Sequence, residues 1–453
     1  MSQNTHRQLM ILGTCALCFV LFSIYRRGVE NGWSVMQRVY GTGKLVTDIG
    51  SDEETEPETA KAVGQAEERQ AAGVQVTAYE ENPDVRVQLC TDDYAGKYHE
   101  KLTLVCSTAY TVSYGDVTEE HKASEPVWFT LDDPWLEHGT VTLVPKKKKG
   151  VFTFSDLKRA QGAPSYTGKI LVERKEEGLL VMNELPLETY LCSVVPSEMP
   201  SGYPMEALKA QAVCARTYAL KQLQTGRRTE GGADLDDSVS YQVYNNFKRD
   251  ERTDLAVKET KGKVLTQDGE LVDALYYSTS CGIDLSRNLS EEAVFCAFMS
   301  GNDEAYEKEE PWYRWSTYFS LEELTRLAGT ESQEAGEVSG MRVSERENSG
   351  VIKTLEIIGS GGSFEVEGEY EIRKLLQTQN APVTLQDGST APNLGMLPSA
   401  FFYLTEEKEG GVLKGYTLKG GGYGHGKGMS QNGAKHMAEA GRSCVDILRY
   451  YYG

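Results

Sequence analysis

The chain has 453 residues, long enough for two or three domains. Its hydrophobic share is 40% and its charged share 25%, as in ordinary globular proteins, and its net charge is −20. That charge excludes nucleic acid as the partner, because neutralising phosphates takes clustered Lys and Arg. One basic run, Lys146–Lys149, follows Pro145 and reads as a solvated turn.

In chain order, residues 1–8 form a short N-terminus, expected to be cytoplasmic. Leu9 to Tyr25 is an uncharged, mostly apolar run of 17, preceded by Arg7 and followed by Arg26 and Arg27. This is short for a membrane span and long for the apolar core of a signal peptide. No small-residue cleavage site follows at once, so a retained transmembrane signal-anchor is the first reading and a cleaved signal peptide the second. The expected placement is the cell membrane, crossed once, with the large region outside the cytoplasm. Residues 26–83 read as an acidic, disordered stalk: from Ser51 to Glu81 there are nine acidic and two basic residues.

From Asp84 to Ser165 the chain reads as mainly β. "VRVQL", "KLTLVC", "TVSY", "PVWFTL" and "TVTLVP" alternate with period two, and "TGKILVERKEEGLLVMNEL" just after reads as a hairpin. The region 166–453 is mixed. Leu187 to Val195 is predicted as a helix that Pro196 ends, and a second helix starts at Pro204. Met205, Leu208, Ala212, Ala215 and Ala219 fall at spacings of three and four, one buried helical face, and Gly226 stops it. "TLEIIGSGGSFEVEGEYEIRKLL" gives two strands and a helix. A final strand, a glycine-rich loop (420–431) and helices close the chain. The fold class expected is α+β, a β-rich region packed against a mixed helical and strand region.

Of nine cysteines, Cys15 and Cys18 lie in the apolar segment, leaving an odd seven. No CxxC spacing occurs, which argues against structural zinc or a thioredoxin-type motif. Cys90 with Cys106, or Cys281 with Cys296, fit local disulfides of an exported protein; free buried thiols fit as well.

"VVPSEMPSGYP" (194–204) holds one carboxylate, Glu198, among three prolines. Residues before proline favour extended geometry, so the stretch reads as a stiff connector with Glu198 at its centre. A rigid setting suits a catalytic group; capping of the next helix suits it too. The glycines at 420, 421, 422, 424, 426 and 428 let backbone approach a ligand closely, and they match no P-loop or dinucleotide pattern. His425 is the one titratable imidazole inside that loop. It suits a sugar hydrogen bond or a purely structural place.

"LPLETYLCSVVPSEMPSGYPMEALKAQAVCARTYAL" and "GYGHGKGMSQNGAKHMAEAG" resemble the signature of the SpoIID/LytB family, stage II sporulation protein D and its relatives. "YQVY" (241–244), "YYSTSCG" (276–282) and "SGVIKTLEIIGSGG" (349–362) follow in the family's order, and the resemblance covers about Tyr166 to Gly453. It implies a lytic transglycosylase that cleaves peptidoglycan glycan strands already stripped of stem peptides, with Glu198 as its single catalytic acid. It implies substrate-binding roles for Lys209, Arg216, Ser278, Thr279 and Ser280, with Cys281 standing where the family usually has glycine. Gln242, Tyr244, His425, Ser430 and Gln431 lie in the matching motifs and are further sugar-binding candidates. Some members hold zinc before the "QVY" segment; "DLDDSVSY" here has no His or Cys, so neither metal nor other cofactor is expected. The implied partners are a cell-wall amidase and other engulfment proteins. The rival expectation is a wall-binding enhancer of an amidase with no cleavage of its own.

Overall fold

A computed structural model describes residues 73–453, apart from 92–93, 95, 158, 160–161, 245–248, 284–290, 301–304, 332–334 and 392–393. The expected cytoplasmic N-terminus and membrane anchor, and most of the stalk, lie outside the described residues. Among the described residues no helix is long and apolar enough to cross a membrane.

Order begins earlier than the stalk reading allows. Gln75–Ala78 is a strand, paired antiparallel with Lys263–Gln267. Val74 and Val76 pack on the main core, and this apolar contact makes the short edge strand stable despite its acidic neighbours. The period-two segments form strands where expected: Asp84–Gln88, Lys101–Cys106, Tyr110–Tyr114, Pro126–Thr130 and Val141–Pro145, with the hairpin Lys169–Arg174 and Leu179–Pro186. Three strands carry too little alternation to be read from sequence: Val117–His121, Val151–Phe154 and Ser165–Thr167. Lys146–Lys149 is an exposed turn.

A seven-stranded sheet orders Leu235–Asp236, Asp84–Gln88, Leu179–Pro186, Lys169–Arg174, Val141–Pro145, Tyr110–Tyr114 and Val117–His121. It takes strands from both sides of residue 165, so the β-rich stretch and the next share one sheet and one core.

Eight helices occur among the described residues: α1 (Leu187–Glu198), α2 (Met205–Thr225), α3 (Glu251–Glu259), α4 (Glu291–Ser300), α5 (Leu321–Glu331), α6 (Glu369–Leu375), α7 (Gln431–Glu439) and α8 (Cys444–Tyr452). Pro196 does not end α1 as predicted; the helix continues to Glu198. Proline inside a helix costs about 3 kcal/mol. The burial of Tyr190, Leu191, Val194 and Val195 on the main core outweighs that cost. Ser197 also donates its hydroxyl to Ser193 O at 2.7 Å. Helix α2 begins after Pro204 and ends at Gly226, whose φ of 64° supplies the left-handed cap.

The chain leaves this first core after Tyr277 and builds a second. Strands Trp315–Ser320, Val412–Gly420 and Phe402–Glu409 form its main sheet with Thr384–Leu385. A second sheet holds Val338–Arg346, Ile352–Gly359 and Gly362–Glu367. The chain then returns: Met429, Met437, Ile447 and Leu448, from the last strand, α7 and α8, belong to the first core. Exit and return lie side by side. Tyr276–Tyr277 pairs in parallel with Met429–Ser430.

Candidate active site

The parallel seam brings two distant motifs to Glu198. Glu198 is the last residue of α1 and is only partly exposed. Its Oε1 accepts the backbone N–H of Val243 at 2.7 Å. Gln431, first residue of α7, donates its side-chain amide to Glu198 O at 3.1 Å and to Gln211 Oε1 at 3.4 Å. The Tyr276 hydroxyl has two acceptors within reach of its one hydrogen, Gln242 Oε1 at 2.8 Å and the Glu198 carboxyl, and can turn from the first to the second. Burial pushes the Glu198 pKa up to about 7, and the bonds from Val243, Tyr276 and Gln431 oppose that rise without cancelling it. Its place at the C-terminal end of α1 also disfavours the carboxylate. The carboxyl does not cap α2, whose N-terminus has no side-chain cap.

Of the residues singled out in the sequence, Glu198, Gln242 and Gln431 come together. Thr279 lies one link further out. Asn432 donates its side-chain amide to Thr279 Oγ1 at 2.9 Å and its backbone N–H to Ser278 O at 3.0 Å. Ser430 caps α7, accepting from Gly433 N at 3.0 Å and from Ser280 N at 3.2 Å. His425 sits behind the seam: its Nε2 meets Tyr276 O at 2.9 Å and its Nδ1 accepts from Lys427 N at 3.1 Å. These bonds fit a neutral ring protonated on Nε2, and burial lowers its pKa.

Three residues lie elsewhere. Arg216 is 1% exposed and binds Glu188 through two nitrogens, at 2.7 and 2.9 Å. It also donates to Ala212 O, Lys263 O and Val257 O. Buried inside α1, α2 and α3, it offers no face to a glycan. Lys209 pairs with Glu206 at 2.9 Å and Glu259 at 2.7 Å. Tyr244 is fully buried, its hydroxyl on Asn183 Oδ1 at 2.8 Å and its ring against Tyr166 and Tyr190. The Val243 N–H, Tyr276, Gln211 and Asn432 were not singled out from the sequence. Tyr276 begins the "YYSTSCG" motif, but an aromatic residue in a strand reads as core. The seven described cysteines are all free thiols, so the local disulfides do not form.

A single partly buried carboxyl with a pKa near neutrality can give a proton and then take one back. The groups that act on its ionisation are a peptide N–H, a phenol and an amide.

Comparison with known proteins places this architecture in one class, proteins carrying a stage II sporulation protein domain. The model described as "Stage II sporulation protein" matches residues 175–267. A second, described as "Domain of unknown function (DUF8618)", matches 269–428, the stretch that leaves and returns at the seam. Over 288 residues the chain is 30% identical to the stage II sporulation protein D of Bacillus amyloliquefaciens, covering 60% of this chain and 74% of that protein. It is 29% identical over 291 residues to the amidase enhancer of Bacillus subtilis, covering 58% of this chain and 39% of that protein. An uncharacterized protein of Brachyspira hyodysenteriae is 30% identical over 292 residues, covering 63% and 70% of the two chains. The chain belongs to the stage II sporulation protein D family.

Proposed function

We propose that this protein is a membrane-anchored peptidoglycan lytic transglycosylase acting on denuded glycan strands outside the cytoplasm, in sporulation engulfment. The observation that carries the reading is Glu198, a half-shielded carboxyl whose pKa is pushed up to about 7 by burial. It holds a proton near neutral pH and gives it to the leaving glycosidic oxygen as the C1–O bond breaks. The resulting carboxylate takes the proton of the C6 hydroxyl of the same muramic acid. O6 then bonds C1 and closes a 1,6-anhydro ring. The product needs no water and no second carboxylate, unlike hydrolysis by a carboxyl pair. Val243 N–H and the Tyr276 hydroxyl support the carboxylate stage. Gln431 and Asn432, both partly exposed, offer amides to the sugar beside it.

Denuded strands incubated with the full chain in detergent test this by mass spectrometry. Anhydro-muramic ends are expected with the native chain and absent with Glu198→Ala. Intact strands in both samples would overturn the reading. A second reading, a wall-binding partner of a cell-wall amidase, is favoured by the relative named an amidase enhancer. It predicts bound, uncut strands and faster amidase turnover with native and Glu198→Ala chains alike.

A further inference from the structure

The glycine-rich loop reaches Glu198 only through Gln431 at its end, and its glycines build a pocket of their own. Gly421, Gly422, Gly424 and Gly426 line it from one side. Thr279 and Phe401 line it from others, with Ser349 and Val351 at a turn. The pocket is small and opens to solvent, with about 20 Å³ free to the centre of a water-sized group. The loop packs against the strand that follows Tyr276 with no room for side chains. A Cβ on Gly421 would stand 2.8 Å from Cys281 Cβ, one on Gly422 2.7 Å from Thr279 O, and one on Gly424 2.8 Å from Tyr277 Cβ. One wall is therefore bare backbone, and the floor is apolar, from Ile283, Val351 and Phe401.

No charged side chain is among the described residues lining this pocket. Stem peptides carry carboxylates and amines, which such a pocket does not compensate. A small neutral group with a methyl and a peptide-like carbonyl fits instead. Ser349 stands half-exposed, and its Oγ accepts from Val351 N at 3.3 Å. A hydroxyl that accepts in this way keeps its own hydrogen to donate to a carbonyl. Thr279 joins the pocket to the acid, through Asn432 and then Gln431.

We propose that this pocket is a saccharide subsite for an acetamido group, on a sugar of the same strand away from the scissile bond. The assignment rests on the glycan reading of Glu198. It makes the protein select N-acetylated over N-deacetylated strands, a distinction the acid itself does not draw. Loss of a buried methyl-bearing group costs roughly 10-fold or more in recognition.

The test uses the full chain carrying Glu198→Gln, so that strands stay intact during titration. Denuded strands are compared with the same strands after N-deacetylation and after re-acetylation. Expected is a Kd about 10-fold lower for acetylated and re-acetylated strands. Bulk charge works the other way, since deacetylated strands are cationic and the chain carries −20. Ser349→Trp, a substitution at a half-exposed turn, is expected to erase the difference by weakening the binding of acetylated strands to the level of deacetylated ones. Equal affinity for the three strands, or a preference that survives Ser349→Trp, would overturn the subsite. If anhydro ends still form with the native chain, the subsite has failed alone. If no strand binds, the subsite and the glycan reading fail together.

Discussion

At the scale of residues, the proposed reaction asks Glu198 to serve two stages, and its surroundings set how well it serves each. An acid whose folded pKa is raised costs stability at the pH where it must ionise. The unfolded chain loses this proton near pH 4.5 and the folded chain near 7, so its contribution to stability falls as pH rises through that window. Glu198→Gln is therefore expected to be more stable than the native chain at pH 8, by about a few kcal/mol. The two should unfold alike at pH 4; a thermal melt at each pH checks this. Cleavage should decline above about pH 7 as the acid loses its proton. Tyr276→Phe removes a donor that favours the carboxylate, so the alkaline limb of the pH–rate profile should move up while turnover drops about 10-fold or more. The sequence exposed Glu198 because prolines frame it. It hid Tyr276 and the Val243 N–H, because a hydrogen bond across 45 residues, from Val243 to Glu198, leaves no local pattern.

At the scale of elements, the two basic residues of α2 separate clearly. Arg216 ties α1 to α2 and to the segment near Lys263. Arg216→Met leaves Glu188 without its partner, and a loss of about 3 kcal/mol in urea unfolding is expected. Lys209 is more exposed, so Lys209→Ala should cost at most about 1 kcal/mol and leave strand binding unchanged. Their seven-residue spacing in one helix made them look alike. Only the packing of α3 against α2 distinguishes a buried strut from a surface pair. Helix α1 teaches a related lesson. Pro196 argued for a break, yet tertiary burial carried the helix three residues further and made Glu198 its terminus. The β-segments were legible where alternation was strong, as in Lys101–Cys106, and silent where an edge strand such as Val117–His121 is mostly polar. His425 donates to Tyr276 O in either form, but only its neutral ring can accept from Lys427 N within the glycine loop. Its depressed pKa means that this support is present above the ordinary histidine range and is lost as pH falls below about 6.5. Faster amide exchange at Lys427 at pH 5 than predicted from intrinsic rates would report it.

At the scale of the whole molecule, the site stands where the chain leaves its first core and where it comes back. Glu198 and Gln431 are 233 residues apart in sequence, and the second core is built entirely between the two halves of the seam. No local signal could have announced that Tyr276–Tyr277 and Met429–Ser430 are neighbours; each is two residues long. Contacts of such separation form late in folding, because their loop entropy is met only after the intervening region is compact. The parallel seam thus acts as a safety catch. A chain still being folded already contains the proton donor, but without its amides, its phenol partner or its sugar contacts. Under the proposed function the chain is harmless to its maker until its last helices dock, and a copy cut short before Met429 should bind no strand and sever none.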